Sequence, residues 1–164
     1  MPLFNLTELR ASLPRHARLI GLDPGAKTVG VALTDVLLML ASPYGALKRG
    51  RLAANAAEVL GIARREGAGG LVVGLPLSMD GSFGPAAQAA KDWGLALSDA
   101  TGLPLALWDE RLSSAAVNRM MIEADVTRAK RAAAVDAAAA AWMLQAALDA
   151  TRPAARVPPE SEAP

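Results

Sequence analysis

Cysteine is absent from the 164 residues, which removes disulfides, thiolate nucleophiles and thiolate metal sites and fits a reducing, cytoplasmic setting. Histidine occurs once, as His16 ahead of the first strand, where an exposed place is expected; carboxylates are the obvious metal ligands left. Net charge is nearly absent: 17 Lys and Arg stand against 16 Asp and Glu, a formal +1. Such a chain has no global basic field, so any polyanion site must come from local clustering. Long apolar runs are missing too. The longest, Ala137 to Leu144, falls well short of the roughly 18 residues that would suggest a membrane span. The amino-terminal residues scatter Glu8, Arg10, Arg15 and Arg18 where a signal peptide would keep a continuous apolar core. These absences predict a soluble protein with no membrane partner. Aromatics are scarce, and Trp93, Trp108 and Trp142 lie far apart, a spacing that suits core or edge packing better than a base-stacking platform.

What is present reads as one domain with extensions: residues 1–17 a short amino-terminal extension, 18–150 the folded unit, and 151–164 a proline-rich, disordered tail. "LIGLD" has the length and apolar density of a strand, and "TVGVALTD" resumes after the turn signal "PGAK" with Val29, Val31 and Leu33 alternating on one face. The pair predicts an antiparallel hairpin. "VLLMLASPYGAL" reads as a third strand broken by Pro43, followed by "LAANAAEVLGIARREGAGG", a helix closed by glycines. Beyond it a strand over "GLVVGLPLS", a helix ending at Gly102 and a strand over "LPLALWDE" alternate, which predicts parallel strands joined by helical crossovers. Two helices complete the set, over "SSAAVNRMMIEA" and "RAAAVDAAAAAWMLQAALDA". The expected class is α/β, a mixed sheet flanked by helices.

Three acids stand where such a sheet would use them. Asp23 ends the first strand, and sites in open α/β sheets gather at carboxyl ends of strands; the plain alternative is an aspartate opening a Pro-Gly turn. Asp109 and Glu110 end the last strand side by side, and strand alternation lets only one of them face Asp23. A solvated strand end, with Ser113 or Ser114 capping the next helix and Arg111 pairing with an acid, is the competing account. Asp136 shares a helical stripe with Ala140, Met143 and Ala147, opposite Gln145 and Asp149. A carboxylate on that inward face calls for a cationic partner, a metal or a residue such as Arg131. If the acids converge, a divalent cation would relieve their repulsion, and oxygen donors suit magnesium or manganese. Two such ions roughly 4 Å apart would activate water and stabilise the leaving oxygen in phosphodiester hydrolysis.

The segments "GLDPGAKTVGVALTD", "LVVGLPLSMDGS", "DERLSS" and "RAAAVDAAAAAWMLQ", in this order from about Leu19 to Leu148, resemble the YqgF/RuvX family of Holliday-junction resolvases or pre-16S ribosomal RNA nucleases. The resemblance implies a ribonuclease-H-like fold with a five-stranded mixed sheet, three antiparallel strands leading into parallel βαβ crossovers. It also implies hydrolysis of structured nucleic acid with two magnesium or manganese ions, in the cytoplasm. Maturation of the 5′ end of 16S rRNA, with the ribosome as a partner, is the first expectation, and resolution of branched DNA the alternative; a monomer would serve the first and a homodimer the second. By position, Asp23, Glu110 and Asp136 match the family's catalytic, metal-holding acids, with Asp109 a further candidate ligand. Substrate contacts are expected from Gly25 and Lys27 of the first motif, Ser78, Asp80 and Gly81 of the second, Arg111 after the acid pair, and Arg128, Lys130 and Arg131 ahead of Asp136. A plain Asp-Gly turn at Asp80 and a solvated basic stretch at 128–131 compete with those roles, and Lys48, Arg49 and Arg51 read as a surface turn. The family often carries a basic residue after the lysine of its first motif; Thr28 stands there in this chain, which weakens the expectation of a phosphate contact at that position. Outside the nuclease class, a phosphate-binding module of the actin and sugar-kinase kind and a non-catalytic nucleic-acid binder remain alternatives. The first needs two copies of the fold, and this chain has room for one.

Overall fold

Residues 3–76, 83–109 and 128–153 are described by the computed structural model of the chain. The loop residues Ser78, Asp80 and Gly81, the acid Glu110 with Arg111, the helix read over 113–124 and most of the tail lie outside them. The central strands are apolar on both faces, as strands covered from both sides must be. In chain order the elements are β1 (Leu3–Phe4), α1 (Leu6–Ser12), β2 (Arg18–Pro24), β3 (Thr28–Thr34), β4 (Ala41–Lys48), α2 (Leu52–Glu66), β5 (Ala68–Leu75), α3 (Pro85–Thr101), β6 (Leu105–Asp109) and α4 (Arg128–Ala150). The strands form one sheet in the order β1-β6-β5-β2-β3-β4. β2, β3 and β4 run antiparallel, whereas β5 lies parallel to β2, and β6 parallel to β5. This is the expected five-stranded mixed sheet, with the two-residue β1 added parallel to β6 at its edge.

Alternation divides the strands between two layers. Ile20, Leu22, Val29, Val31, Leu71, Val73 and Leu105 pack with Val59, Ile62 and Leu97 of α2 and α3. Leu19, Ala32, Val72 and Ala106 point the other way, against Ala140, Met143, Leu144, Ala147 and Leu148 of α4. The helical stripe read from Asp136 therefore does face the sheet. Each fully buried Leu or Ile in these layers contributes about 1.5–3 kcal/mol relative to an exposed one. Gly67 and Gly102 end α2 and α3 in the left-handed conformation, each donating its N–H back to the helix, as the terminal glycines predicted.

Three local readings change. The third strand begins at Ala41, not Val36. The Asp35 carboxylate accepts from the N–H groups of Met39 and Leu40, and Leu38 takes a positive φ of 56°, so residues 36–40 form a loop. It tucks Leu38 against the α4 layer and leaves Leu37 65% exposed. Pro43 sits within β4 without ending it, because an edge strand has no partner for the missing N–H. Residues 5–12, at the amino terminus, carry a packed helix: Asn5 caps α1 by accepting from Glu8 N–H, and Leu6 and Leu9 are buried in the α4 layer. Arg10 donates to the carbonyls of Leu148 and Leu38 and to the Thr151 hydroxyl, tying α1 to the carboxyl end of α4. Of the tryptophans, Trp93 and Trp108 pack against the core layers, whereas Trp142 is 49% exposed on α4.

Candidate active site

Asp23 lies near the carboxyl end of β2, half-buried, and pairs across the hairpin with Gly30 of β3. It shares a sheet face with Leu19 and Gly21, the face that α4 covers. A Cβ on Gly21 would press on the Leu144 side chain at 2.9–3.3 Å, and one on Gly30 would collide with the Asp136 carbonyl group. Only hydrogen at these two strand positions lets α4 settle so low. The helix thus rests its Asp136 backbone directly on the residue opposite Asp23, and paired antiparallel residues lie only about 5 Å apart. The two acids therefore approach from different elements on one side of the sheet.

Asp136 is half-buried, and among the described residues it has a hydroxyl partner. Thr28 Oγ1 donates to Asp136 Oδ2 at 2.6 Å, a short hydrogen bond of the charge-assisted kind. The turn between the acid-bearing strand and Thr28 is itself pinned. Gly25 N–H donates to the Thr28 carbonyl at 2.8 Å, and Arg49 N–H to the Lys27 carbonyl at 2.9 Å. The Arg49 guanidinium donates to the Gly25 carbonyl at 2.7 Å and lies 5.7 Å from the centre of the Trp93 ring. Lys27 and Lys48 are exposed beside this turn, Lys48 being paired with Thr28 across the β3–β4 ladder. Positive charge therefore borders the acids at the strand ends.

Asp109 closes β6 opposite Leu75. Leu105 and Leu107 of the same strand pack in the α2–α3 layer, so alternation assigns Asp109 to that side, away from Asp23. Glu110 is outside the described residues, as are Ser78, Asp80, Gly81 and Arg111; nothing is described of the side chains of Arg128, Lys130 and Arg131. Among the described residues no group of three or more acidic, histidine or cysteine side chains gathers in metal-binding geometry. Asp23 and Asp136 are hard oxygen donors of the kind magnesium and manganese take. Sequence reasoning missed Thr28 and Arg49. Thr28 could have been found, since period-two alternation along β3 puts it on the face of Gly30 and Ala32, toward α4.

The model of the family described as "RuvX: Holliday junction resolvase" matches residues 17–150. The chain belongs to the RuvX family. Among its relatives, a protein of Acidiphilium cryptum is 70% identical over 149 residues, covering 91% of this chain and 94% of its own. One of Gluconacetobacter diazotrophicus is 68% identical, with 92% and 99% covered, and one of Gluconobacter oxydans is 62% identical, with 94% and 98% covered. All three carry the name "Putative pre-16S rRNA nuclease". Thermus thermophilus RuvC, solved in complex with Holliday junction substrate, matches at a TM-score of 0.50 and 20% identity, over 82% of this chain and 95% of that one. That likeness concerns the fold, which is ribonuclease-H-like, as the motifs implied. This RuvX chain is accordingly a nuclease, a hydrolase of phosphodiester bonds. No helix among its described residues is long and apolar enough to cross a membrane.

Proposed function

We propose that this chain cuts structured RNA with divalent metal, trimming the 5′ end of pre-16S rRNA in the cytoplasm. The observation that carries the chemistry is the meeting of β3 and α4 at Gly30, directly opposite Asp23 of β2, which brings the Asp23 and Asp136 carboxylates to one face. The choice of RNA rests on the names of relatives as much as 70% identical to this chain. Glu110 completes the acidic set: it matches the acid of the family's "DER" motif, and alternation sends its neighbour Asp109 to the far face. Asp23, Glu110 and Asp136 would hold magnesium or manganese, which when bound supplies Lewis-acid activation of water and neutralises charge on the leaving oxygen. The chain's own side chains do the rest. Thr28 holds the Asp136 carboxylate, Arg49 braces the turn behind Asp23, and Lys27 supplies cationic charge to the phosphate backbone beside the acids. Gly25 in the same turn, the loop residues Ser78, Asp80 and Gly81, and the basic residues Arg111, Arg128, Lys130 and Arg131 are the further substrate contacts.

The test is cleavage of pre-16S rRNA and of four-way DNA junctions side by side with magnesium or manganese, wild type against Asp23→Asn. Metal-dependent cutting of the RNA that falls at least about 100-fold in the variant, with both proteins equally folded, is the expected result. Faster cutting of the junction would make the chain a resolvase acting on branched DNA, as the family description has it. No cutting by a folded wild type would leave a binding role.

A further inference from the structure

The proposed mechanism needs Asp136 to keep one orientation, and a carboxylate on a helix has rotamers to spare. Three observations converge on the group that removes that freedom. The Thr28 hydroxyl reaches Asp136 Oδ2 at 2.6 Å across 108 positions of sequence, linking strand to helix at the level of the acids. Thr28 is β-branched and stiff at χ1. Its backbone is held on both sides, by the turn bond from Gly25 N–H and by the ladder to Lys48. The hydroxyl is therefore presented from a fixed platform. Gly30, two residues on, lets the Asp136 main chain come down to the sheet, so helix height and carboxylate direction are set by neighbouring positions of one strand.

We infer that Thr28 is a positioning residue for the metal-holding carboxylate of Asp136, doing at this position something other than the phosphate contact a basic residue would make. The inference rests on the proposed metal-dependent reading and sharpens it. A neutral hydroxyl fixes the carboxylate by one directed bond while leaving its negative charge undiminished for a cation; an arginine or lysine at 28 would compete with the cation for it. Partners that orient a metal ligand typically contribute about 10- to 100-fold in metal affinity or activity. Thr28→Val keeps the shape and the β-branch while removing the donor, and Thr28→Ser restores the donor on a smaller side chain.

The experiment measures manganese binding to the purified full chain by titration calorimetry, alongside cleavage of pre-16S rRNA over a range of magnesium concentrations. It compares wild type, Thr28→Val, Thr28→Ser and Asp136→Asn. Expected for Thr28→Val are manganese affinity weakened about tenfold and a half-saturating magnesium concentration raised by a similar factor. The KM for RNA should be unchanged and the melting temperature close to wild type, with Thr28→Ser recovering most of the metal affinity. A Thr28→Val protein that binds manganese and cuts like wild type, while Asp136→Asn does neither, overturns the inference and leaves the functional reading standing. So does a Thr28→Ser protein as defective as Thr28→Val, because the hydroxyl would then not be the acting group. A wild type that neither binds manganese nor cuts overturns the functional reading and this inference with it.

Discussion

Toward α2 and α3, strands β2 and β3 present Ile20, Leu22, Val29 and Val31; toward α4, the same strands present Gly21, Asp23, Thr28 and Gly30. One side is filled with branched carbon, the other stripped to hydrogen at two positions and furnished with oxygen at two more. The difference lies in how far the covering helix stands from the strands. Bulky side chains hold α2 and α3 off and convert the space into buried apolar area. Missing side chains let α4 approach until helix backbone touches strand, close enough for a strand hydroxyl to bond a helix carboxylate. Both faces bury an apolar core, but at Gly21, Asp23, Thr28 and Gly30 the second gives up apolar packing for proximity between polar groups.

Substitutions that exchange the character of the two faces test this contrast. The largest effect should come from Gly30→Val, whose side chain would take the place of the Asp136 carbonyl group. Lifting α4 should abolish cleavage and cost about 1–3 kcal/mol or more of stability, read by activity and denaturant unfolding. The control is Gly45→Ala on β4, where a Cβ meets nothing within 4 Å, and both quantities should stay at wild-type values. On the opposite face, Leu97→Ala deletes a fully buried side chain and should cost about 2–5 kcal/mol with activity per folded molecule retained. Loss of activity in the folded fraction would show that the faces are not independent. Next comes Arg10→Met, which removes the bonds from α1 to the Leu148 and Leu38 carbonyls; a loss of about 1–3 kcal/mol should appear in the same unfolding curves.

The smallest effect belongs to Asp35, outside both layers. Burial pushes its carboxyl upward, but the N–H groups of Leu40, Met39 and its own residue, aided by Arg18, hold it on balance below the ordinary aspartate range. A folded-state pKa below the unfolded one means that the stabilisation is complete above the ordinary value of about 3.9. It is lost as pH falls through the folded value. Wild type should therefore gain slightly over Asp35→Asn as pH rises from 3 to 5, in melting temperatures measured across that interval, with a constant difference above it.

How much of this was readable in advance depends on the range of the interaction involved. The β2–β3 hairpin, the α4 stripe with Asp136 and the glycine caps are written in spacings of two to four residues, and all were legible. The loop at 36–40 was not, because an unbroken apolar run carries no period; what decides it is the positive φ of Leu38 and the carboxylate of Asp35. The docking of α1 had a local sign in Asn5 and Glu8, the spacing of a helix cap, overlooked amid scattered charges. Thr28 was judged by what it lacked, a positive charge, when its role depends on a residue 108 positions away. Chemistry made between distant elements leaves only a faint trace in any one of them.

That distance also orders events in time. Asp23 is among the first residues of the domain to leave a translating ribosome and Asp136 among the last, while synthesis proceeds at only about 5–20 residues per second. Because the strand carries one acid and the terminal helix the other, a partly synthesised chain can pair its hairpin yet hold no complete acidic set. With Asp23 and Asp136 acting together as proposed, catalytic competence begins only when α4 has been made and has closed over Gly30.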